Sequence, residues 1–387
     1  MNKRSSAQAV PVFLAFLAMG FADAAGPFVG LAKQQFSLSN FAAQLIAFST
    51  FIMFAVLSVP MGLVQDRRGK KFVLMLGLAV MLAGVLIPAV AGLTTFPVFL
   101  LTVLLMGAGA TTLQVAGNPI VRDVSAEGAY SRNLSMAQFV KAIGSLSGPV
   151  APLVAARLFG NWGGVFPFFS VAVAVALVSA ATLPAGSGKS DRQAVTFGGC
   201  LGLLKSGFVA AMVVAIFLYV GAEVSVSANI PLYLKERFDV DIQKLGLLGT
   251  GLFFAALTVG RFSGGVILRW MAPRTFLRIT TVLSLAGLAG LFVPSKIVAT
   301  AAFVLVGLGF ANIFPLVFSI AVDRMPDKAN ALSGLLVMAI CGGAIVPPAM
   351  GYLSDAVGSA EAGFLVPIAC IAYIAWVGFA ARKAEAQ

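Results

Sequence analysis

The sequence predicts an all-α membrane protein of twelve transmembrane helices arranged as two six-helix bundles. Three observations carry that expectation. Apolar residues make up 60% of the 387 positions and charged ones only 10%, with a mean hydropathy of +1.00; a soluble core has no use for so much apolar side chain. The apolar residues fall into runs long enough for helices that cross a hydrocarbon layer of about 30 Å. Those runs come as six, one polar stretch, and six more.

In chain order the first six runs cover approximately 10–32, 41–64, 71–92, 96–121, 132–157 and 164–183. The second six cover 207–234, 243–268, 275–293, 297–322, 329–354 and 362–381. Between them, Pro184 to about Lys205 contains Gly-Ser-Gly-Lys-Ser-Asp-Arg-Gln and reads as a linker. The expected organisation is a bundle at 1–184, a linker at 185–205 and a second bundle at 206–387. Most other loops are very short, which makes successive helices antiparallel neighbours. With the N-terminus inside, 18 Lys and Arg fall on the cytoplasmic side and 6 outside, leaving Lys141 and Arg261 within the membrane. Both termini and the linker are therefore expected to be cytoplasmic, in an inner membrane.

The formal charge of +12 forms no patch or aromatic-interleaved stripe of the kind that binds nucleic acid; it is spread over short loops. Cys200, Cys341 and Cys370 have neither disulfide nor metal-ligand spacing, and the chain has no His, so they read as small apolar residues and no metal site is expected. No nucleophile–base set points to an enzyme, and no cofactor is expected. Lys3 and Arg4 precede an apolar run too long for a signal peptide. The expected partners are the lipid bilayer and a small solute, with the protein as a monomer.

The two halves echo each other. Ala22-Asp23 in the first run matches Ala222-Glu223 in the seventh, and each pair has a nearby glycine, Gly20 and Gly221. Gly62-x-x-x-Asp66-Arg67 is answered by Gly265-x-x-x-Arg269, and Gly148-Pro149 by Pro347-Pro348. The offsets are 200, 203 and 199, the mark of a parallel internal repeat. Asp23 and Glu223 are also the two acids placed deep in the membrane, where a carboxylate is costly unless it faces a cavity or a partner.

The run Gly62-Leu-Val-Gln-Asp66-Arg67-Arg68-Gly69-Lys70-Lys71 resembles the signature of the major facilitator superfamily between its second and third helices. Gly62 admits a close helix and Asp66 offers an acceptor across a helix interface; Gly62, Asp66, Arg67 and Gly69 are the expected gate residues. Within that superfamily the chain is similar to the fucose–proton symporter and glucose/galactose transporter group. Asp23 four positions before Pro27, Gln114-Val-Ala-Gly-Asn118-Pro119, Asn133-Leu-x-x-Ala-Gln138 and Tyr219-Val-Gly-Ala-Glu223 carry the likeness. The resemblance implies the major facilitator fold and sugar symport driven by H⁺ or Na⁺ through alternating access, with Asp23 and Glu223 as coupling acids. Two departures stand out. Gln114 occupies the place of the group's second acid and cannot exchange a proton near neutral pH, and Lys141 stands where the group has Asn.

Gln114 and Asn118 share one helix face, and Gln138 and Lys141 another. Amides offer both donors and acceptors to a polyhydroxylated solute, so Gln114, Asn118 and Gln138 are candidate substrate contacts, with Asn229 and Asn312 as further candidates. The same amides also serve as packing links between helices. Lys141 lies roughly 13 Å into its helix and requires an anion: Asp23 first, otherwise Glu223 or an anionic substrate such as a sugar acid. Arg261 reads as a structural pair or gate residue. Efflux of small amphipathic compounds is the other transport reading.

Overall fold

The structure is a computed structural model and describes residues 3–23, 25–38, 40–183, 197–239 and 247–380. The polar part of the linker, 184–196, and the basic C-terminal tail, including Arg382 and Lys383, lie outside the described residues. Among those described, the secondary structure is helical throughout, and the helices occupy all twelve expected positions. Ten of them are long and apolar enough to cross a membrane, and Val10–Ala22 is a shorter apolar helix. Pro273–Gly290 fills the ninth position.

Three spans are broken rather than continuous. The first consists of Lys3–Ala22 and Ala25–Gln35, with Asp23 at the break. The tenth consists of Lys296–Phe310 and Ile313–Arg324, with Ala311 and Asn312 between them. Proline explains two of these interruptions. Pro27 and Pro315 have no N–H to return to the carbonyls four residues earlier, those of Asp23 and Ala311. The eleventh span runs Ala329–Met338, a 3₁₀ turn at Ala339–Cys341, then Gly342–Val357. Its middle presses Gly342 against the backbone of Phe217 so closely that a side chain there would overlap the Phe217 carbonyl.

Local chemistry sets several helix ends. The Asn161 side chain accepts from the Gly164 amide at 3.1 Å, opening the sixth span, and Ser295 caps the tenth. Between the second span, Asn40–Arg68, and the third, Lys70–Ala91, the chain turns in one residue, with Gly69 at φ 84°. An L side chain is strained there.

The chain divides into two compact units, and neither is a contiguous half. The first contains Met1–Glu127, Val140–Leu203 and Asp327–Met338; the second contains Gly128–Phe139, Leu204–Pro326 and Ala339–Gln387. In the first unit the fourth span, Phe96–Asp123, is buried along most of its length. Small residues let its neighbours approach: a Cβ on Gly107 would lie 2.8 Å from the Cα of Thr50, and one on Gly109 2.6 Å from the Cβ of Met81. Phe28, Phe99, Trp162 and Phe166 form a ring cluster at one end of this unit, with centroids 5.4–6.3 Å apart. In the second unit Gly307 and Gly309 play the same part against Phe253 and Ser284.

The exchanged segments explain the glycine echo. In the first unit Gly62 faces the start of the eleventh span: a Cβ there would meet the Asn330 carbonyl at 3.6 Å and the Gly334 Cα at 3.7 Å. In the second unit Gly265 faces the start of the fifth span, where Met136 lies directly over it and the Arg132 carbonyl is 3.7 Å from a Cβ position. Gly62 and Gly265 thus each admit a helix from the opposite half of the sequence.

Candidate functional site

Each compact unit holds one carboxylate inside its helices and one cation against it. In the first unit Asp23, at the broken turn of the first span, donates its backbone N–H to the Gly20 carbonyl at 3.1 Å. Its Oδ2 accepts from Ser145 Oγ at 2.6 Å and lies 3.4 Å from Lys141 Nζ. Ser145 and Lys141 stand one turn apart on the fifth span, Tyr130–Phe159. The approach depends on glycine. Gly20 packs against Gly144, and a Cβ on Gly20 would fall 2.7 Å from the Gly144 Cα and 2.6 Å from the Ser145 amide. With two bare backbones in contact, short and long side chains alike reach the acid.

In the second unit Glu223, on the seventh span Gly207–Phe238, has its Oε1 3.5 Å from Nη2 of Arg261 on the eighth span, Leu247–Ile267. Arg261 is 6% exposed. Its Nε donates to the Ala311 carbonyl at 3.3 Å and its Nη1 to the Gln138 carbonyl at 3.5 Å. Tyr219, fully buried, lies one turn before Glu223 and within electrostatic reach of both charges.

The structure therefore gives Lys141 to Asp23, whereas Glu223 is taken by Arg261. The latter pairing was missed from sequence. The available signal was the count of charges left inside the membrane: two acids and two bases, each of which needs an opposite charge. Ser145 was missed as well, since a single serine in an apolar helix carries no distinguishing pattern.

The predicted amides separate by unit. Gln114 and Asn118 are both buried in the first unit, and Gln114 Oε1 has no hydrogen-bond partner among the described residues. Gln138 belongs to the second unit, with its Nε2 likewise buried and unpartnered. Lys141 falls in the first unit, so the face expected to join it to Gln138 is divided between the two units. Asn312 donates Nδ2 to the Gly260 carbonyl at 2.6 Å across the tenth-span break, and Asn229 donates to the Ser225 carbonyl at 2.8 Å. Both have packing partners; the Asn312 Oδ1 has none among the described residues.

At the expected gate, Asp66 Oδ1 accepts from Asn330 Nδ2 at 2.7 Å, and Gln65 Nε2 donates to Asn330 Oδ1 at 3.1 Å. Asn330, absent from the sequence reading, is the residue that joins the second span to the eleventh here. Arg67 is exposed. Beyond Gly69, Lys70 pairs with Asp123 at 2.5 Å and Lys71 donates to the Ala181 carbonyl at 2.8 Å, tying down the ends of the fourth and sixth spans. Cys200, on the short helix Phe197–Gly202, is buried against the Ala331 carbonyl near this cluster. Burial pushes its thiol up to about 11, with the Asp66 charge adding in the same direction.

The sequence pattern described as Major Facilitator Superfamily matches residues 12–348. The chain belongs to the major facilitator superfamily. That membership places it among multi-span membrane transporters and not among enzymes. The chain is similar to the glucose/galactose transporter of Brucella abortus biovar 1 (strain 9-941), 28% identical over 364 residues, covering 91% of this chain and 88% of that one. The L-fucose-proton symporter of Escherichia coli (strain K12) is 25% identical over 378 residues, covering 88% and 85%. The crystal structure of the superfamily transporter FucP in the outward conformation superposes with a TM-score of 0.80 at 22% identity, over 95% of this chain and 97% of that one.

Proposed function

We propose that this superfamily member is a proton-coupled sugar symporter working by alternating access. It would be built from repeats at 1–184 and 206–387 joined by a linker at 185–205, with both termini cytoplasmic in an inner membrane. The observation that carries the reading is the pair of membrane-embedded acids, each with its own cation, Asp23 with Lys141 and Glu223 with Arg261. A transporter without charge coupling has no reason to bear their desolvation. The glucose/galactose and fucose–proton relatives, similar over most of their length, support a sugar as the solute and a proton as the driver.

In this reading Asp23 is the acid that takes up the coupling proton. While it is ionised, Lys141 and Ser145 hold it. Protonation cancels its hold on the ammonium, and Lys141 is freed to rearrange. Glu223 provides the second titrating site that Gln114 does not. Gln114, Asn118 and Gln138 supply the donors and acceptors for sugar hydroxyls; their unpartnered Gln114 Oε1 and Gln138 Nε2 atoms support that assignment. Asp66, with Gly62, Arg67 and Gly69, works as a gate through Asn330. A proton rather than Na⁺ is favoured also by the donors around Asp23, a hydroxyl and an ammonium, since a bound metal cation calls for several oxygen ligands. Lys141's engagement with Asp23 disfavours the sugar-acid reading.

The test is uptake by purified protein in liposomes, with a panel of neutral hexoses, deoxyhexoses and sugar acids under imposed pH or Na⁺ gradients. Accumulation of a neutral sugar driven by an inward proton gradient supports the proposal. Accumulation driven by Na⁺ alone, or of sugar acids alone, overturns it.

A further inference from the structure

Arg261 joins four parts of the second unit with one side chain. It rises from the eighth span, meets Glu223 on the seventh and donates to Ala311 at the tenth-span break. Its Nη1 reaches the Gln138 carbonyl, in the segment Gly128–Phe139 that this unit takes from the first half of the sequence. The Ala311 carbonyl is the one that Pro315 leaves without a helical donor, so the guanidinium supplies what the proline removed. Contacts that hold the Gly128–Phe139 segment here include the following. Ser131 and Ser319 hydroxyls are 2.7 Å apart, Met136 covers Gly265, Phe139 packs on Phe262 with centroids 5.3 Å apart, and the Gln138 carbonyl accepts from Arg261. Among these four, the Arg261 contact involves a charge whose counter-charge can be switched off.

We infer that Arg261 is the positioning residue through which the protonation state of Glu223 sets the attachment of the Gly128–Phe139 segment to the second unit. With Glu223 ionised, the guanidinium is neutralised in place and its two other donors clamp Gln138 and Ala311. With Glu223 protonated, the same guanidinium is a buried cation facing only carbonyl dipoles, a state that favours its withdrawal. Arginine cannot relieve this by losing its own proton. Withdrawal removes the clamp and weakens the segment's attachment. The groups facing Glu223 are Arg261 from the eighth span and Tyr219 from its own preceding turn. Among the described residues no other charged side chain is paired with Glu223; Glu361 of Ala360–Gly363 pairs with Arg237 at the far end of the seventh span.

The inference rests on Glu223 being a titrating acid, as in the proposed function, but its test does not use transport. In the full chain with Cys200, Cys341 and Cys370 replaced by Ser, the substitutions Ser131→Cys and Ser319→Cys place two thiols across the attachment. Disulfide formation is followed with a copper–phenanthroline oxidant across pH, as the ratio of each variant to the otherwise unsubstituted pair at the same pH, which cancels the thiols' own titration. Glu223→Gln is expected to cross-link about fivefold or more slowly than the parent at high pH, in line with loss of a charge-assisted contact, and to converge with the parent at low pH. Arg261→Gln is expected to cross-link slowly at every pH with no dependence on Glu223. Arg261→Lys, which keeps the charge but loses the fork geometry, is expected to retain a weakened parental pH response. A Glu223→Gln protein that cross-links like the parent at all pH values overturns the inference, as does an Arg261→Gln protein that keeps the parental response. A chain that fails to accumulate sugar but shows the expected cross-linking would sink the proposed solute and leave the clamp standing.

Discussion

Gly20→Ala tests the geometry of the first acid site most directly. The new methyl would begin 2.7 Å from the Gly144 Cα and 2.6 Å from the Ser145 amide, and nearer still to the Lys141 carbonyl. Carbon atoms rest at about 3.5–4.0 Å, so the first and fifth spans must open by about 0.8 Å even at the Gly144 contact. Asp23 lies one turn further along, and the fifth span carries both of its partners. The same opening takes the Ser145 hydrogen bond from 2.6 Å to about 3.4 Å and the Lys141 separation from 3.4 Å to about 4.2 Å, both beyond the usual range of each interaction. A hydrogen bond to a charged group contributes about 1.5–3 kcal/mol, and forced overpacking costs about 1–3 kcal/mol besides. Proton-driven uptake should therefore fall about tenfold or more, and the melting temperature of the purified protein should drop. Initial rates in liposomes across pH, with thermal unfolding in detergent alongside, provide the check. Parental rates, an unaltered pH profile and an unaltered melting temperature together would refute the argument that this glycine contact sets the acid's surroundings.

Three further outcomes are expected. Asp23→Asn should abolish gradient-driven accumulation while sparing solute exchange, because an amide cannot titrate; concentrative uptake equal to the parent's would remove Asp23 from coupling. Asn330→Leu takes away the donor to Asp66 and the acceptor for Gln65; it should change turnover with little change in apparent affinity, and a large affinity loss at unchanged turnover would argue against the gate assignment. In a variant retaining Cys200 as its sole cysteine, maleimide labelling at pH 8 should be slow in the folded protein, since the thiol at about 11 holds little thiolate and is buried, and rapid after unfolding. Equal rates in both states would contradict its burial against the eleventh span.

Span positions were legible because they depend on composition over some twenty residues. The broken first span was half legible: Pro27 announces an unsatisfied carbonyl at Asp23, yet the apolar run reads straight through it. The tenth was the same, with Pro315 and Ala311. Charge pairing was legible only as a requirement. Lys141 needs an anion, and Asp23 is the first choice with Glu223 or an anionic substrate behind it; the contact of Gly20 with Gly144, which no local pattern displays, is what brings Asp23 and Lys141 together. Arg261 is legible as a structural pair or gate residue, but nothing local to it names Glu223 as the partner. Asn330 was invisible, being one polar residue at a helix start, although its neighbour Gly334 sits opposite Gly62.

The exchange of segments has a consequence for how the protein is made. The Asp66–Asn330 bond spans 264 positions, and a ribosome adding about 5–20 residues per second needs roughly 13–50 s to supply the second partner after the first. Throughout that interval the nascent first unit lacks Asp327–Met338, and the bare groove beside Gly62 must be tolerated by lipid or shielded by the insertion machinery. Gly128–Phe139, by contrast, is already waiting when the helices that receive it emerge. The earlier half of the chain is thus finished last, and a translation stall before residue 327 would leave it open.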